Sequence, residues 1–237
     1  MRFSNFSLAA LAAAGIFTCA LTAGAATAAS TGFPFTGEEL TYSVNWPSGL
    51  SLGEGHLRAS RQGVAWSFEL RLDASVPGFD VLDRYQASAT SDFCSTSFER
   101  TSSHGARKTH ETETISDGTV VRQTANGGGK SELKAPDCLK DALTFLFFLR
   151  RELGQGRVPP PQQILFGNLY SATLEYVGAP MIRVAGKPEQ SDKLICTMTG
   201  PASTLKFEVY FARDAARTPL LFKVPLQMGL FSMELVR

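Results

Sequence analysis

The chain has 237 residues, with 23 Lys and Arg against 22 Asp and Glu and a formal charge of +1. A balance this even leaves no electrostatic footprint for nucleic acid and no basic run for anionic lipid. The length suits one sizeable β domain or two small ones.

Met1 to Ser7 carries one basic residue, Arg2, and no acid, and an apolar run follows from Leu8 to about Thr22. Ala26-Thr27-Ala28 then fits the small-x-small pattern of a signal-peptidase site, as does Ala23-Gly24-Ala25. Residues 1–28 are therefore expected to be a signal peptide, cut after Ala28 with Ala25 the alternative. Residues 29–237 are expected to form a single β-rich exported domain, periplasmic or secreted. The leader's apolar run is short for a membrane span of roughly 20 residues, and no second run is long enough to cross. Cys19 lacks the small residue that a lipid-attachment site needs just before it. Losing Arg2 brings the mature charge to about zero.

Strict alternation in Glu39–Trp46 places Leu40, Tyr42, Val44 and Trp46 on one face of a half-buried strand, ended by Pro47-Ser48-Gly49. Further strands are predicted near Gly53–Ser60, over Trp66–Asp73 and over Val81–Thr90, separated by short turns in a meander. Lys108–Thr114 is polar on both faces and leads through Asp117-Gly118, a strong hairpin turn, into Thr119–Thr124. This hairpin is expected to be wet on both sides, protruding beyond the core or lining a polar mouth.

Pro136–Gly154 is the one strong helix signal. Asp137 is placed to cap it, Arg150 and Arg151 suit the negative end of its dipole, and Gly154 closes it. Leu139, Ala142, Leu143, Leu146, Leu149 and Leu153 form an apolar stripe, and Phe145 and Phe148 widen it, so the helix requires cover on several sides. After Pro159-Pro160-Pro161, strands are predicted over 164–166, 170–177, 181–185, 193–198, 205–211, 220–224 and 228–236. About a dozen strands and one oily helix predict a mainly β fold. A long antiparallel meander curls into a barrel or half-barrel with the apolar helix packed on its concave side.

Three cysteines remain after the leader: Cys94, Cys138 and Cys196. Export favours disulfides. Cys94 and Cys138 stand at strand and helix junctions, where a staple would fix helix to sheet, so a Cys94–Cys138 bridge is the preferred pairing. Cys196, in a strand-like run, is expected to pack as a small hydrophobe.

Gly37-Glu38-x-Leu40-x-Tyr42-x-Val44-x-Trp46 followed by Gly53 resembles the opening of an exported bacterial family, domain of unknown function family 3108. Asp141-Ala142-Leu143 with Phe147-Phe148-Leu149-Arg150 is similar to its central helix, and Asp214 with Arg217 and Pro219 to its final hairpin. Alanines fill positions before Arg217 and loosen that last match. The resemblance implies a secreted or periplasmic, mostly β domain. It supplies no established activity, substrate or catalytic residue.

Nucleotide, metal and hydrolase signatures are missing, no cysteine or histidine pair has metal-ligand spacing, and no cofactor is expected. His110 beside Glu111 and Glu113 suggests acid–base work, but alternation puts the imidazole on the opposite face. Asp80, Asp83 and Asp92 offer the carboxylates of a glycosidase, but the odd spacing keeps Asp80 and Asp83 from sharing a strand face. Arg150 projects along the apolar stripe, where a guanidinium must find a partner or water. It is expected to snorkel at the helix end or pair with a strand carboxylate such as Glu175, or else to meet the acidic head of an amphiphile held under the helix. The expected function is non-catalytic: binding a lipid, another amphiphile or an envelope partner inside the curled sheet. The alternatives are an interaction module with a filled core and a hydrolase of envelope polymers.

Overall fold

The period-two runs of the sequence become strands of one continuous sheet. The computed structural model describes residues 37–76, 78–125, 127–201, 203–226 and 229–236, all within one compact unit. The leader expected at 1–28 lies outside the described residues. Eight strands form a meander: β1 (Glu38–Asn45), β2 (Ser51–Gln62), β3 (Ala65–Val76), β4 (Phe79–Ala89), β5 (Ser95–His104), β6 (Arg107–Ser116), β7 (Thr119–Thr124) and β8 (Gly129–Lys134). A two-residue strand, β9 (Lys140–Asp141), leads into the helix α1 (Ala142–Gly154). The chain continues through β10 (Gln162–Leu165), β11 (Leu169–Gly178), β12 (Met181–Val184), β13 (Lys187–Thr199), β14 (Thr204–Ala212), β15 (Pro219–Leu226) and β16 (Gly229–Leu235).

The strand order is β8-β7-β6-β5-β4-β3-β2-β1-β16-β15-β14-β13-β11-β10-β9, with β12 paired on β13 off this path. All pairs are antiparallel except β9 with β10. β1 and β16 lie side by side mid-sheet, Tyr42 opposite Leu235. Sixteen strands exceed the roughly ten that a twisted open sheet sustains, and the sheet curls around α1 without closing. Alternation decides which side each residue takes. On β3, Trp66 and Phe68 are buried inward, while Glu69 on the outer face meets Arg71 and Arg84. Gly53 of the resemblance motif sits opposite Ala74, where an added Cβ would lie 2.0 Å from the Asp73 carbonyl oxygen. No other residue fits there without moving β3.

The helix begins later than the sequence predicts. Asp141, not Asp137, is the N-cap, its Oδ1 accepting from the amides of Leu143 and Thr144 at 2.8 and 2.9 Å. Two constraints hold residues 138–141 out of the helix. Cys138 has a left-handed φ of 50°, and Lys140–Asp141 pairs with β10. Leu139 therefore leaves the apolar stripe and packs with Val120 and Leu165. The far end also shifts, since Gln155 is the C-cap and Gly156, at φ 73°, takes the left-handed position expected of Gly154. Within the helix, Leu143, Phe145, Phe147, Leu149 and Leu153 are all buried, each contributing roughly 1.5–3 kcal/mol when fully removed from water.

The seam between the two ends of the strand order is bridged by side chains. Ser95 at the start of β5 donates to Asp141 Oδ2 at 2.6 Å and accepts from the Asp141 amide at 2.8 Å. The Cys94–Cys138 disulfide lies beside this pair. Arg122 of β7 donates to the Gly167 carbonyl, and Val120, Ala135, Leu139 and Leu165 form an apolar cluster there. The β6–β7 hairpin is thus not wet on both sides. One face is exposed, but the other buries Val120 and Glu113, because the curl of the sheet folds it back over β10. Cys94 and Cys138 are 44 residues apart in sequence, and opening a loop of that size costs about 4 kcal/mol in the chain-entropy account. Reduction, or the double substitution Cys94→Ala/Cys138→Ala, is expected to lower unfolding stability by that order in urea titrations.

Candidate functional site

Between α1 and the sheet lies a cavity of about 530 Å³. Leu143, Leu146 and Leu149 line it from the helix, Leu57, Leu70 and Leu72 from the meander, and Leu194, Cys196, Phe207 and Met233 from the second half of the chain. Outside the cavity lining, Phe147 of the helix stacks on Phe68 at 4.2 Å between ring centroids, and Trp66 and Phe93 extend the stack. The cavity reaches solvent at the end of β15, where Leu226 lines it and is also 50% exposed. Cys196 packs as a buried hydrophobe in the wall, and burial pushes its thiol up to about 12.

Asp83 is the only ionisable carboxylate among the described lining residues, and it is 9% exposed. His104 Nε2 lies 2.9 and 3.1 Å from its two oxygens. An ionised carboxylate only accepts, so Nε2 carries the hydrogen. Burial, and then the neighbouring Asp83 carboxylate, hold the Tyr85 hydroxyl well above its ordinary value. Opposite Phe98 but outside the cavity lining, Glu113 is 2% exposed, and neither of its carboxylate oxygens has a hydrogen-bond partner among the described residues. Burial pushes it up to about 7, with Arg122 opposing the shift.

Arg150 is buried completely and does not line the cavity. Its Nη1 and Nη2 donate to the two carboxylate oxygens of Glu38 at 2.7 and 2.8 Å, and Nε donates to the Ala216 and Arg217 carbonyls at 3.2 Å each. A strand carboxylate is its partner, as one expectation held, but the residue is Glu38 and not Glu175. These bonds occupy the guanidinium within the protein, so the head-group role also considered for it has no support in this geometry. Arg150 stands near the C-terminal end of α1, where Glu38 and the Ala216 and Arg217 carbonyls are within reach.

The other candidates lie apart. His110 meets Glu99 at 3.2 Å on the outer face. Asp80 accepts from Ser75 at 2.7 Å at the exposed β3–β4 turn, and Asp92 is exposed. Among the described residues no group of three or more His, Cys, Asp or Glu is arranged to hold a metal ion. Glu38, Asp141 and Glu113 were missed as structural anchors or buried acids. The first two sit inside the resemblance motifs, whereas a two-faced polar strand gave no sign that Glu113 would be buried.

Arg150→Met strands the largely buried Glu38 and is expected to cost about 3–5 kcal/mol, with Glu38→Gln in the same chain recovering part of the loss in urea unfolding. Glu113 makes a pH prediction. Its folded value of about 7 lies above its ordinary 4.5, so its contribution is fully present below about pH 4.5 and is lost as pH rises to about 7. The loss is roughly 3 kcal/mol. Glu113→Gln is expected to be more stable than the parent at pH 8, the advantage shrinking as acid is added.

The three stretches that carry the family resemblance meet around α1. Glu38 and Arg150 are ion-paired, Tyr42 donates to the Pro219 carbonyl at 2.9 Å, and Asp214 receives the Thr218 amide and hydroxyl. No curated protein matches the chain. Among solved structures it is similar to a beta-barrel-like protein of domain of unknown function DUF1849 from Brucella abortus. The TM-score is 0.63 at 8% identity, over 86% of this chain and 97% of that one, and a likeness at this identity concerns the fold alone. The family model for the proteins of unknown function DUF3108 matches residues 41–236, and the chain belongs to that family.

Proposed function

We propose that this protein is an exported, non-catalytic binding protein that holds an apolar or amphiphilic molecule between α1 and the curled sheet. The observation that carries this reading is the cavity of about 530 Å³, walled almost wholly by Leu, Ile, Val, Phe and Met. Its volume falls in the roughly 300–1,000 Å³ range of small-molecule pockets. An occupant that supplies apolar contacts would keep this apolar wall from water.

The open volume supports binding over an interaction module with a filled core. A hydrolase needs a second carboxylate beside Asp83, and Asp80 and Asp92 lie elsewhere. The Cys94–Cys138 disulfide fits an oxidising compartment such as the periplasm, in keeping with a cleaved leader at 1–28. No helix among the described residues is long and apolar enough to cross a membrane.

Native mass spectrometry of protein released gently from its own host is expected to show a retained apolar adduct. Cys196→Phe, which fills the wall of the cavity, is expected to lose that adduct while keeping the fold by circular dichroism. Adduct-free protein in the parent, or an adduct indifferent to the filled cavity, would overturn the proposal.

A further inference from the structure

The cavity has two unlike walls. The helix and β13–β16 are apolar, whereas the inward face of β4–β7 carries charge. Directly opposed residues of antiparallel strands share a face, and Tyr85 and Phe98 both line the cavity. Arg100 lies opposite Tyr85, Glu111 opposite Arg100, Glu113 opposite Phe98, and Arg122 opposite Glu113. With Asp83, and with Arg107 opposite His104, this face holds three carboxylates and three guanidiniums.

The hydrogen bonding leaves acceptors in excess. Both oxygens of Glu113 are buried acceptors without a partner, against a single unpaired donor atom, Nε of Arg100. Arg100 is otherwise engaged with Glu111 at 2.8 Å, and Arg122 with Ser131 and the Gly167 carbonyl. No Lys or Arg is among the described residues lining the cavity. The one formal charge that reaches the cavity is the Asp83 carboxylate.

We propose that the ligand is an amphiphile whose head group is a hydrogen-bond-donating cation, an ammonium in the simplest case, seated against Asp83 with its tail among the helix leucines. This inference rests on the binding reading above and adds to it the sign of the head group. His104, exposed beside Asp83 at the rim, closes the outer side of the seat. A carboxylate or phosphate head would face Asp83 with no lining cation to offset it, in surroundings where charge is poorly screened.

The test is calorimetric titration of the mature protein, at neutral pH and below micelle formation, with dodecylamine, dodecanol and dodecanoate. Dodecylamine is expected to bind about tenfold tighter than dodecanol, with dodecanoate weakest. Asp83→Asn is expected to bring the amine down to the level of the alcohol. The order among the three ligands on the parent protein is decisive even if that variant folds poorly. If all three bind and dodecanoate equals or exceeds dodecylamine, the head-group inference is overturned while the cavity reading stands. If none binds, the cavity reading itself is overturned.

Discussion

A buried guanidinium organises this molecule. Arg150 sits near the end of α1 with no solvent contact, and it joins the start of β1 to the loop between β14 and β15 through Glu38, Ala216 and Arg217. Those segments are more than a hundred residues apart in places, and none would be fixed by local propensity alone. A charge taken out of water demands full satisfaction by good geometry, so the register of the helix against two separate strands is set by one side chain. Asp192 extends the arrangement by holding both Arg213 and Arg217, which fixes the loop that supplies the two carbonyls.

The second constraint is incomplete closure. A hydrogen-bonded barrel would abolish its edges, but here the short β9 and the outer hairpins meet through a disulfide, a reciprocal serine–aspartate pair and a small apolar cluster. Asp141 serves twice, as helix cap and as the acceptor from Ser95 across the seam. Position of the helix and joining of the sheet are therefore one structural event. α1 and the Phe68–Phe147 stack fill part of the interior, and a hollow remains beside them.

Much of this architecture was legible in the sequence, for stated physical reasons. Period-two alternation gave β1 and β3 with their inward faces, and the width of the apolar surface on α1 required a sheet around it. The cysteine pairing was legible because both residues stand at junctions. What escaped was set by tertiary contact. The late helix start depends on the backbone of Cys138 and on pairing with β10, neither of which leaves a periodic trace. Glu38 as the partner of Arg150 joins the two ends of the fold and cannot be inferred from spacing. Burial of Glu113 follows from the curl folding a polar-looking strand inward. A hollow under the helix was the preferred expectation over a filled core, but its size was not legible, since side-chain volume along a chain does not reveal how well opposing walls meet. The odd spacing already set Asp83 apart from Asp80 as a catalytic pair, but nothing in the sequence placed the Asp83 carboxylate in the wall of the cavity.

The pairing of β1 with β16 has a temporal consequence. The strand made first acquires its second neighbour only when the strand made last is available, so during synthesis the centre of the sheet remains an unsatisfied edge. Contacts of such long sequence separation form slowly because loop-closure entropy must be met before they reward it. A chain built this way cannot complete the middle of its sheet until β16 is available, although the β1–β8 hairpins can pair before then.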